Sequence, residues 1–534
     1  MIFINKFQKR IFGLSLIFVF VFAVVILRYW CIATETEYAA MAREYGKYKV
    51  SVENGDGYIY DRNFFPLVNE NNKYITVTAN SGNSKSLEQE AADIEEFREQ
   101  TANKKPFAFE SLKKLDDNLY TTTFEVPERY SENQIAQHLI GYKSEGVGVS
   151  GIEYAYDKVL RGNTSENTVS YNCDGYGKVM LGEGKKVERE TNLKYGVVTT
   201  IDYEIQKICE EAGKDIEKGA ILITEVKTGD ILAMASFPSY SVDNLSDSLN
   251  DEKSPLINRC FYSYSIGSIF KLVTACEAIN SGYADFVYNC TGSVDVYGKK
   301  FRCHDHNGHG QQDMIQAMTN SCNTYFIELS KKLDTESFRN TAFSLGFGRE
   351  IHLFAGGIAS TGILPTVKEL SIPAELANFS FGQGKLSATP LHINQLTCAI
   401  ANEGQIPVLR VIKGVTADGE TIGNEKAPQL SSVMEPETAQ LLRTLMAAAI
   451  NNNENSNAKP YNVMAAGKTS TAQTGKFDEN GLELYNAWIT GYFPVYEPEY
   501  AVTVLIEDGG YGNDSSAPVF RKIIEKIQKI KKSD

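Results

Sequence analysis

The sequence predicts an α/β (α+β) chain in three parts: an N-terminal membrane-spanning helix, an elongated pedestal, and a larger domain with a central antiparallel sheet and flanking helices. Three observations predict it. Ile11 to Leu27 is apolar apart from Gly13 and Ser15, which reaches a spanning length once the aromatics that follow are added. From Val197 a strand-like run, Val-Val-Thr-Thr-Ile-Asp202, hands over to Ile205, Ile208, Cys209, Ala212 and Ile216 at helical spacing. Near the C-terminus three strand-like runs, Met464 to Thr471, Tyr485 to Phe493 and Tyr500 to Glu507, precede a helix with an apolar stripe.

A length of 534 residues with 43% apolar and 11% aromatic content is ample for more than one core. The 53 basic and 67 acidic residues leave a net charge of -14, which argues against a polyanion binder, so nucleic acid is not an expected partner. Lys6, Lys9 and Arg10 precede the apolar run, and Arg28, Tyr29 and Trp30 follow it. Basic residues on the short side put the N-terminus in the cytoplasm, the aromatics in the interfacial belt and the remainder outside the membrane. Residues 1–10 are then a cytoplasmic tail and residues 11–33 a single-pass anchor. Cleavage after Ala33 is the competing reading, because a signal peptide shares the charge pattern. Cys31 is no lipid site, since bulky Tyr29 and Trp30 stand before it. Nine scattered cysteines make no disulfide framework.

Residues 34–195 form the expected pedestal. Within it Gly57 to Asn63 reads as a strand entering a turn, and Gly148 to Glu153 as a glycine-rich turn entering a helix. The boundary is placed near Tyr195, with residues 196–534 as the second domain. There Gly219 to Val226 and Ile231 to Ser236 read as strands joined by the turn Lys227-Thr-Gly-Asp230. Gly382-Gln-Gly384 and Thr389-Pro-Leu391 lead into a helix to about Asn402, and Pro436 to Asn451 is an amphipathic helix ending in an asparagine-rich loop. The last helix carries Phe520, Ile523, Ile524, Ile527 and Ile530 on one side and lysines on the other. Packing on the sheet is the expected role of that stripe, ahead of contact with a membrane.

The chemistry starts at Tyr264 to Lys271. A helix opening after Gly267 sets Ser268 and Lys271 on one face of its first turn, within reach for the amine to take the hydroxyl proton. A lysine does so near neutral pH only if burial or a second cation depresses its pKa. The same spacing at Ser111 and Lys114, in a charged stretch, is a decoy. Two more motifs follow: Ser321-Cys-Asn323 in a mostly apolar setting, and Lys468-Thr469-Ser470 with Thr471 on a small-residue strand. Ser-x-Asn recurs at Ser81, Ser131 and Ser165, and Lys-Thr-Gly at Lys227, all in polar loops or turns. Combined, Lys271 deprotonates Ser268, Lys468 holds Lys271 neutral, Asn323 orients it, and Ser321 relays a proton to the leaving amine. Lys468, Thr469 and Ser470 bind a substrate carboxylate, and the N–H groups of Ser268 and Thr471 form an oxyanion hole. Such a site performs acyl transfer and calls for no cofactor or metal.

In that chain order the three motifs resemble the signature of the penicillin-recognising serine acyl-transferases, and within them the class B, monofunctional penicillin-binding proteins. The segments Asp61-Arg62-Asn63, Gly151-Ile-Glu153, Thr200-Ile-Asp202, Thr228 to Ser236, Asn258-Arg259, Gly382 to Gly384, Thr389 to Leu391, Ala487-Trp488 and Ala517 to Phe520 look like the family's accessory motifs. The resemblance implies a serine β-lactamase-like transpeptidase domain that cross-links peptidoglycan: it attacks D-Ala-D-Ala stem peptides, releases D-alanine and is acylated by β-lactams. It also implies a polytopic SEDS-family glycosyltransferase as partner, met through anchor and pedestal, and pairing of two copies through a dimerisation-type pedestal. Four positions depart from the family pattern. Ser470 stands where glycine is usual, so a side chain is expected to intrude beside the substrate strand. Ile266 replaces a proline, and in the pedestal Asp56 and Phe64 replace arginine and glycine.

Competing readings are weaker. Gly467-Lys468-Thr469 ends like a P-loop, but Asn462 occupies the first glycine position and Thr471 to Gly475 does not continue as a helix. Ser268 lacks the Gly-x-Ser-x-Gly setting of a Ser-His-Asp hydrolase. A DD-carboxypeptidase or β-lactamase shares the acylation chemistry. A β-lactam sensor or scaffold with a degenerate site needs a signalling domain or loss of a reacting group, and neither is evident. Cys290, Cys303, His304, His306 and His309 form the one cluster of ligand-like composition. Its spacing matches no familiar zinc pattern, so structural residues are expected there, with a Cys290 to Cys303 disulfide as the first alternative and a metal site as the second.

Overall fold

The computed structural model describes residues 6–34, 46–80, 84–162, 165–174, 178–180, 182, 184–190 and 194–532; the decoy Ser81 lies outside them. Helix α1 (Lys6–Thr34) is long and apolar enough to cross a membrane, and none of it is buried. It fits a membrane anchor.

The chain divides into two compact units. The first comprises Met1–Gly55, Asn71–Glu128 and Thr164–Asn192. Besides α1 it contains two three-stranded antiparallel sheets, one centred on Glu166–Asn172 and one on Asn72–Thr78. Val52, Val77, Phe124, Val126, Val169 and Tyr171 form its core. The decoy Ser111 ends a strand here, and its buried hydroxyl bonds Thr76 Oγ1 at 2.9 Å, so it is a sheet residue rather than a helix start.

The second unit comprises Asp56–Glu70, Arg129–Asn163 and Leu193–Asp534. Segments 56–70 and 129–163, which sequence patterning assigns to the pedestal, thus pack with the larger domain. Tyr58–Tyr60 pairs parallel with Gly196–Thr199, and Arg129 meets the buried Glu153 at 2.7 Å. No local pattern announces that a chain leaves a unit and returns. Asp61 builds a turn by accepting the N–H groups of Asn63 and Phe65 at 2.7 and 2.8 Å. Phe64 within that turn has φ 65°, the left-handed region that glycine occupies without strain, which explains the usual glycine there.

The centre of this unit is a five-stranded antiparallel sheet of β1 (Gly219–Glu225), β2 (Ile231–Phe237), β3 (Ala466–Phe477), β4 (Glu483–Phe493) and β5 (Tyr500–Ile506), in the order β2-β1-β5-β4-β3. Helix α2 (Tyr203–Gly213) is opened by the Asp202 side chain, which accepts the Ile205 N–H at 3.1 Å. Its Ile205, Ile208, Cys209 and Ala212 share one cluster with Ile221, Ile223 and the C-terminal helix residues Phe520, Ile523, Ile524 and Ile527. The apolar stripe of that last helix therefore lies on the sheet. A second cluster joins α3 (Lys271–Asn280), α4 (Asn323–Ser330), α5 (Pro390–Ala401) and α6 (Pro436–Asn451) with Trp488, Tyr492 and Leu505 of the sheet. Pro390 and a Thr389/His392 capping box start α5. Strand β3 continues past the buried Ala472 to Phe477 as a largely exposed ribbon held by Gln473 Nε2 to Glu483 Oε2 at 2.8 Å and Thr474 Oγ1 to Leu484 O at 2.7 Å. With no apolar face to bury, that extension leaves no alternation to read.

Replacing Phe520, fully buried under the sheet, with alanine should cost about 3–5 kcal/mol in urea denaturation, whereas Tyr297→Ala should stay within about 0.5 kcal/mol because that ring is 91% exposed.

Candidate active site

The turn before α3 is pinned from three sides. Tyr264 exchanges both backbone hydrogen bonds with Ala388, Trp488 Nε1 donates to Ser265 O at 3.0 Å, and the Gly267 N–H donates to Gly382 O at 2.9 Å. Gly267 has φ 56°, and a Cβ there would lie 2.5 Å from Ser470 Oγ; a Cβ at Gly382 would lie 2.0 Å from Gly267 O. Only glycines allow loop, turn and edge strand to come this close.

Gly267–Phe270 is a 3-10 turn that runs into α3 at Lys271. Residues three apart eclipse in that geometry, so Lys271 Nζ sits 3.0 Å from Ser268 Oγ. The tighter turn replaces the expected helical one and aligns the pair more directly. The second motif arrives at the end of the helix Met314–Thr319. There Ser321, at φ 51°, turns the chain, and Cys322 returns its N–H to Ala317 O at 2.9 Å before α4 begins at Asn323. The third comes from edge strand β3.

Lys271 is fully buried. Its Nζ lies 2.7 Å from Ser321 O, 2.7 Å from Asn323 Oδ1 and 3.1 Å from Ser321 Oγ. Burial first, and the Lys468 charge second, depress its pKa to about 7. A neutral amine has two N–H donors and one lone pair. The two 2.7 Å acceptors take the donors, which leaves the lone pair to the Ser268 hydroxyl. Ser321 Oγ is 3.0 Å from Ser268 Oγ and 3.1 Å from Lys468 Nζ, and so bridges the Ser268 hydroxyl and the second amine. Lys468 also donates to Thr469 O at 3.0 Å, and burial lowers its pKa to about 8.

All the sequence-expected reacting groups, Ser268, Lys271, Ser321, Asn323 and Lys468, thus converge. Thr469 lines a cleft of about 330 Å³ together with Ser321, Asn320 and Lys468. Half-buried Thr471 accepts the Gly512 N–H on Oγ1 at 3.1 Å. Ser470 differs from expectation. Its side chain is 3% exposed and donates to Ile266 O at 2.7 Å, so the hydroxyl turns under the 3-10 turn instead of intruding beside the cleft. Side chains on a strand alternate, and position 470 faces the helix while 469 and 471 do not. Sequence reading missed the Gly382 carbonyl that anchors Gly267. It also missed that Cys322, the middle residue of Ser-x-Asn, meets Cys303 behind the turn, with the two sulfurs 3.8 Å apart.

This arrangement can activate a serine for acyl transfer, with a cation placed for an anionic substrate. A family profile described as penicillin binding protein transpeptidase domain matches residues 219–525, more than half of the chain. The chain belongs to that family. Among curated relatives, peptidoglycan D,D-transpeptidase MrdA of Haemophilus influenzae is 28% identical over 422 residues, which cover 71% of this chain and 62% of that protein. The chain thus spans less than two thirds of that relative's length. Among solved structures, penicillin-binding protein A of M. tuberculosis as a ceftriaxone acyl-enzyme aligns with TM-score 0.62 and 22% identity over 77% of this chain and 94% of that one. A chain from a study of how a peptidoglycan synthase complex coordinates polymerization and crosslinking aligns with TM-score 0.69 and 23% identity, covering 96% of this chain and 97% of that one. These likenesses show a shared fold.

Because Lys271 must be unprotonated to accept the serine proton, the rate at which an anionic acylating reagent modifies Ser268 should rise with pH up to about 7. It should fall again above about 8, where Lys468 loses the charge that attracts the reagent. A stopped-flow pH profile checks both limbs. Lys271→Met should remove the rising limb and lower the rate roughly 10²–10⁴-fold.

Proposed function

We propose that this chain is a peptidoglycan D,D-transpeptidase that acts through a Ser268 acyl-enzyme and is acylated by β-lactams. The observation that carries the reading is the buried Lys271 amine, bonded at 2.7 Å to Ser321 O and Asn323 Oδ1 with Ser268 Oγ at 3.0 Å. The terminal carboxylate of a D-Ala-D-Ala stem peptide meets Lys468 and Thr469. Ser268 Oγ attacks the penultimate carbonyl as Lys271 takes its proton, and the N–H groups of Ser268 and Thr471 hold the oxyanion. The proton passes through Ser321, which touches both Ser268 and the Lys468 amine, to the departing D-alanine. An amine on a neighbouring stem then takes the acyl group.

The anchor reading completes the picture. With α1 in the membrane and Lys6, Lys9 and Arg10 at its N-terminal end, the catalytic unit lies on the extracytoplasmic side. The first unit serves as pedestal and meets a polytopic glycosyltransferase of the SEDS type, or a second copy. The names of the relatives and of the peptidoglycan synthase complex support this assignment.

Incubating the detergent-solubilised chain with a penicillin should add one drug mass, and Ser268→Ala should abolish the adduct. No adduct at high drug concentration would sink the acyl-enzyme reading. With a D-Ala-D-Ala peptide and an amine acceptor, a cross-linked product supports transpeptidation; hydrolysis alone would point to a carboxypeptidase.

A further inference from the structure

The Asn258-Arg259 pair, singled out in the sequence, stands apart from the contacts of Ser268 and Lys271 described above. Arg259 is nonetheless buried, at 3% exposure, which an unpaired guanidinium does not tolerate. Its Nε donates to Glu507 Oε1 at 2.7 Å, its Nη2 to Lys253 O at 2.6 Å and its Nη1 to Ser254 O at 3.3 Å. The backbone behind it is fixed as well. Asn258 Oδ1 accepts the Cys260 N–H at 3.1 Å and opens the 3-10 turn Arg259–Phe261, while the Arg259 N–H donates to Ser236 Oγ of β2 at 3.0 Å. The guanidinium is therefore a fixed mount, and what it holds is Glu507, the residue that follows β5.

The same carboxylate oxygen carries a second bond. Tyr264 Oη donates to Glu507 Oε1 at 2.9 Å. Burial first, and the Glu507 charge second, hold that phenol far above its ordinary range, so it stays protonated and remains a donor. Tyr264 begins the stretch that leads to Ser268, and its ring meets Trp488 edge-on, with centroids 6.2 Å apart at 74°. The ties of this stretch run residue by residue: Tyr264 through its hydroxyl, Ser265 through Trp488, Ile266 through Ser470 and Gly267 through Gly382. The last three join neutral groups. The tie at Tyr264 ends on a carboxylate held by a buried cation, and such charge-assisted bonds are the stronger kind.

We propose that Glu507, clamped by Arg259, is a positioning residue for Ser268: through the Tyr264 hydroxyl it fixes the entrance of the turn that carries Ser268, and so the place of Ser268 Oγ. The anchor stands on the bonds above, and its effect on rate rests on the acyl-enzyme reading. Misplacing a reacting atom by about 1 Å slows chemistry roughly 10²-fold. Lys271 is held separately by Ser321 O and Asn323 Oδ1, so loss of the anchor moves the hydroxyl and leaves the surroundings of the amine as they are.

The test uses the full chain in detergent with a penicillin, followed by stopped flow so that initial binding and the acylation rate constant separate. Tyr264→Phe, which removes only the hydroxyl, should lower the rate constant roughly 10²-fold and leave initial binding unchanged. Glu507→Gln should lower it in the same direction, and an unchanged rate constant in both variants overturns the positioning role. Because both changes cut one linkage, Glu507→Gln made in the Tyr264→Phe chain should cost nothing further; additive losses overturn the linkage. The rising pH limb should stay near 7 in both variants, and a shifted limb overturns the role by showing that the core around Lys271 has loosened. Lys218→Met, which breaks the adjacent pair to Asp508 at 2.9 Å, should leave the rate constant unchanged; a loss equal to that of Tyr264→Phe overturns the assignment to Glu507. A second readout needs no reagent. Trp30 and Trp488 are the two tryptophans, so in a Trp30→Phe background emission reports Trp488 alone, and it should shift to the red in Tyr264→Phe and Glu507→Gln but not in Lys218→Met. Unmoved emission overturns the anchor even in a chain that takes no penicillin. A red shift in such a chain upholds the anchor and sinks the acyl-enzyme reading, together with the effect on rate.

Discussion

The interaction on which the catalytic unit depends is the burial of the Lys271 amine against oxygen acceptors and a second cation. Moving a lysine from its ordinary range to about 7 corresponds to on the order of 5 kcal/mol in favour of the neutral form. No short peptide supplies that. It requires the α3–α4 core around Phe270, Tyr325 and Phe326 to exclude water, and Asn323 and the Ser321 carbonyl to use the two N–H donors. It also requires Lys468 close enough to oppose a second positive charge. Three chain segments far apart in sequence therefore meet at one nitrogen, and the sheet and helices around them can be understood as the frame that keeps them there.

Ile266 and Ser470, two departures flagged separately in the sequence, turn out to be one contact. The Ser470 hydroxyl bonds the Ile266 carbonyl at 2.7 Å, which ties the entrance of the 3-10 turn to edge strand β3. A proline at position 266 would stiffen that turn through its own ring. Here a hydrogen bond from the facing strand does so instead. The extra side chain therefore braces the turn that carries Ser268 from below rather than intruding on the cleft.

Much of the site was legible because its chemistry is written in short motifs. Ser268 and Lys271 gain their meaning from local spacing, and the spacing held, though as a 3-10 turn. The decoys at Ser111 and Lys227 show why spacing needs context. Ser111 bonds Thr76 in a sheet, and Thr228 lies in a hairpin turn, where its hydroxyl bonds Glu225 Oε2 at 2.5 Å. The strands β1, β2, β4 and β5 were legible because burial on both faces leaves near-continuous apolar runs, and the C-terminal stripe because its one buried face imposes a helical period. The polar extension of β3 was not, since an exposed ribbon imposes none.

By itself the sequence determined the membrane-length helix, the five strands of the main sheet, the order of the three motifs and which polar side chains they bring to the site. Each of these is fixed by composition or spacing within a few residues. Only the tertiary structure decided which way Ser470 faces, that segments 56–70 and 129–163 fold with the larger unit, and that Cys322 meets Cys303. These depend on contacts between residues distant along the chain, and side-chain direction and long-range closure leave no periodic mark in a sequence.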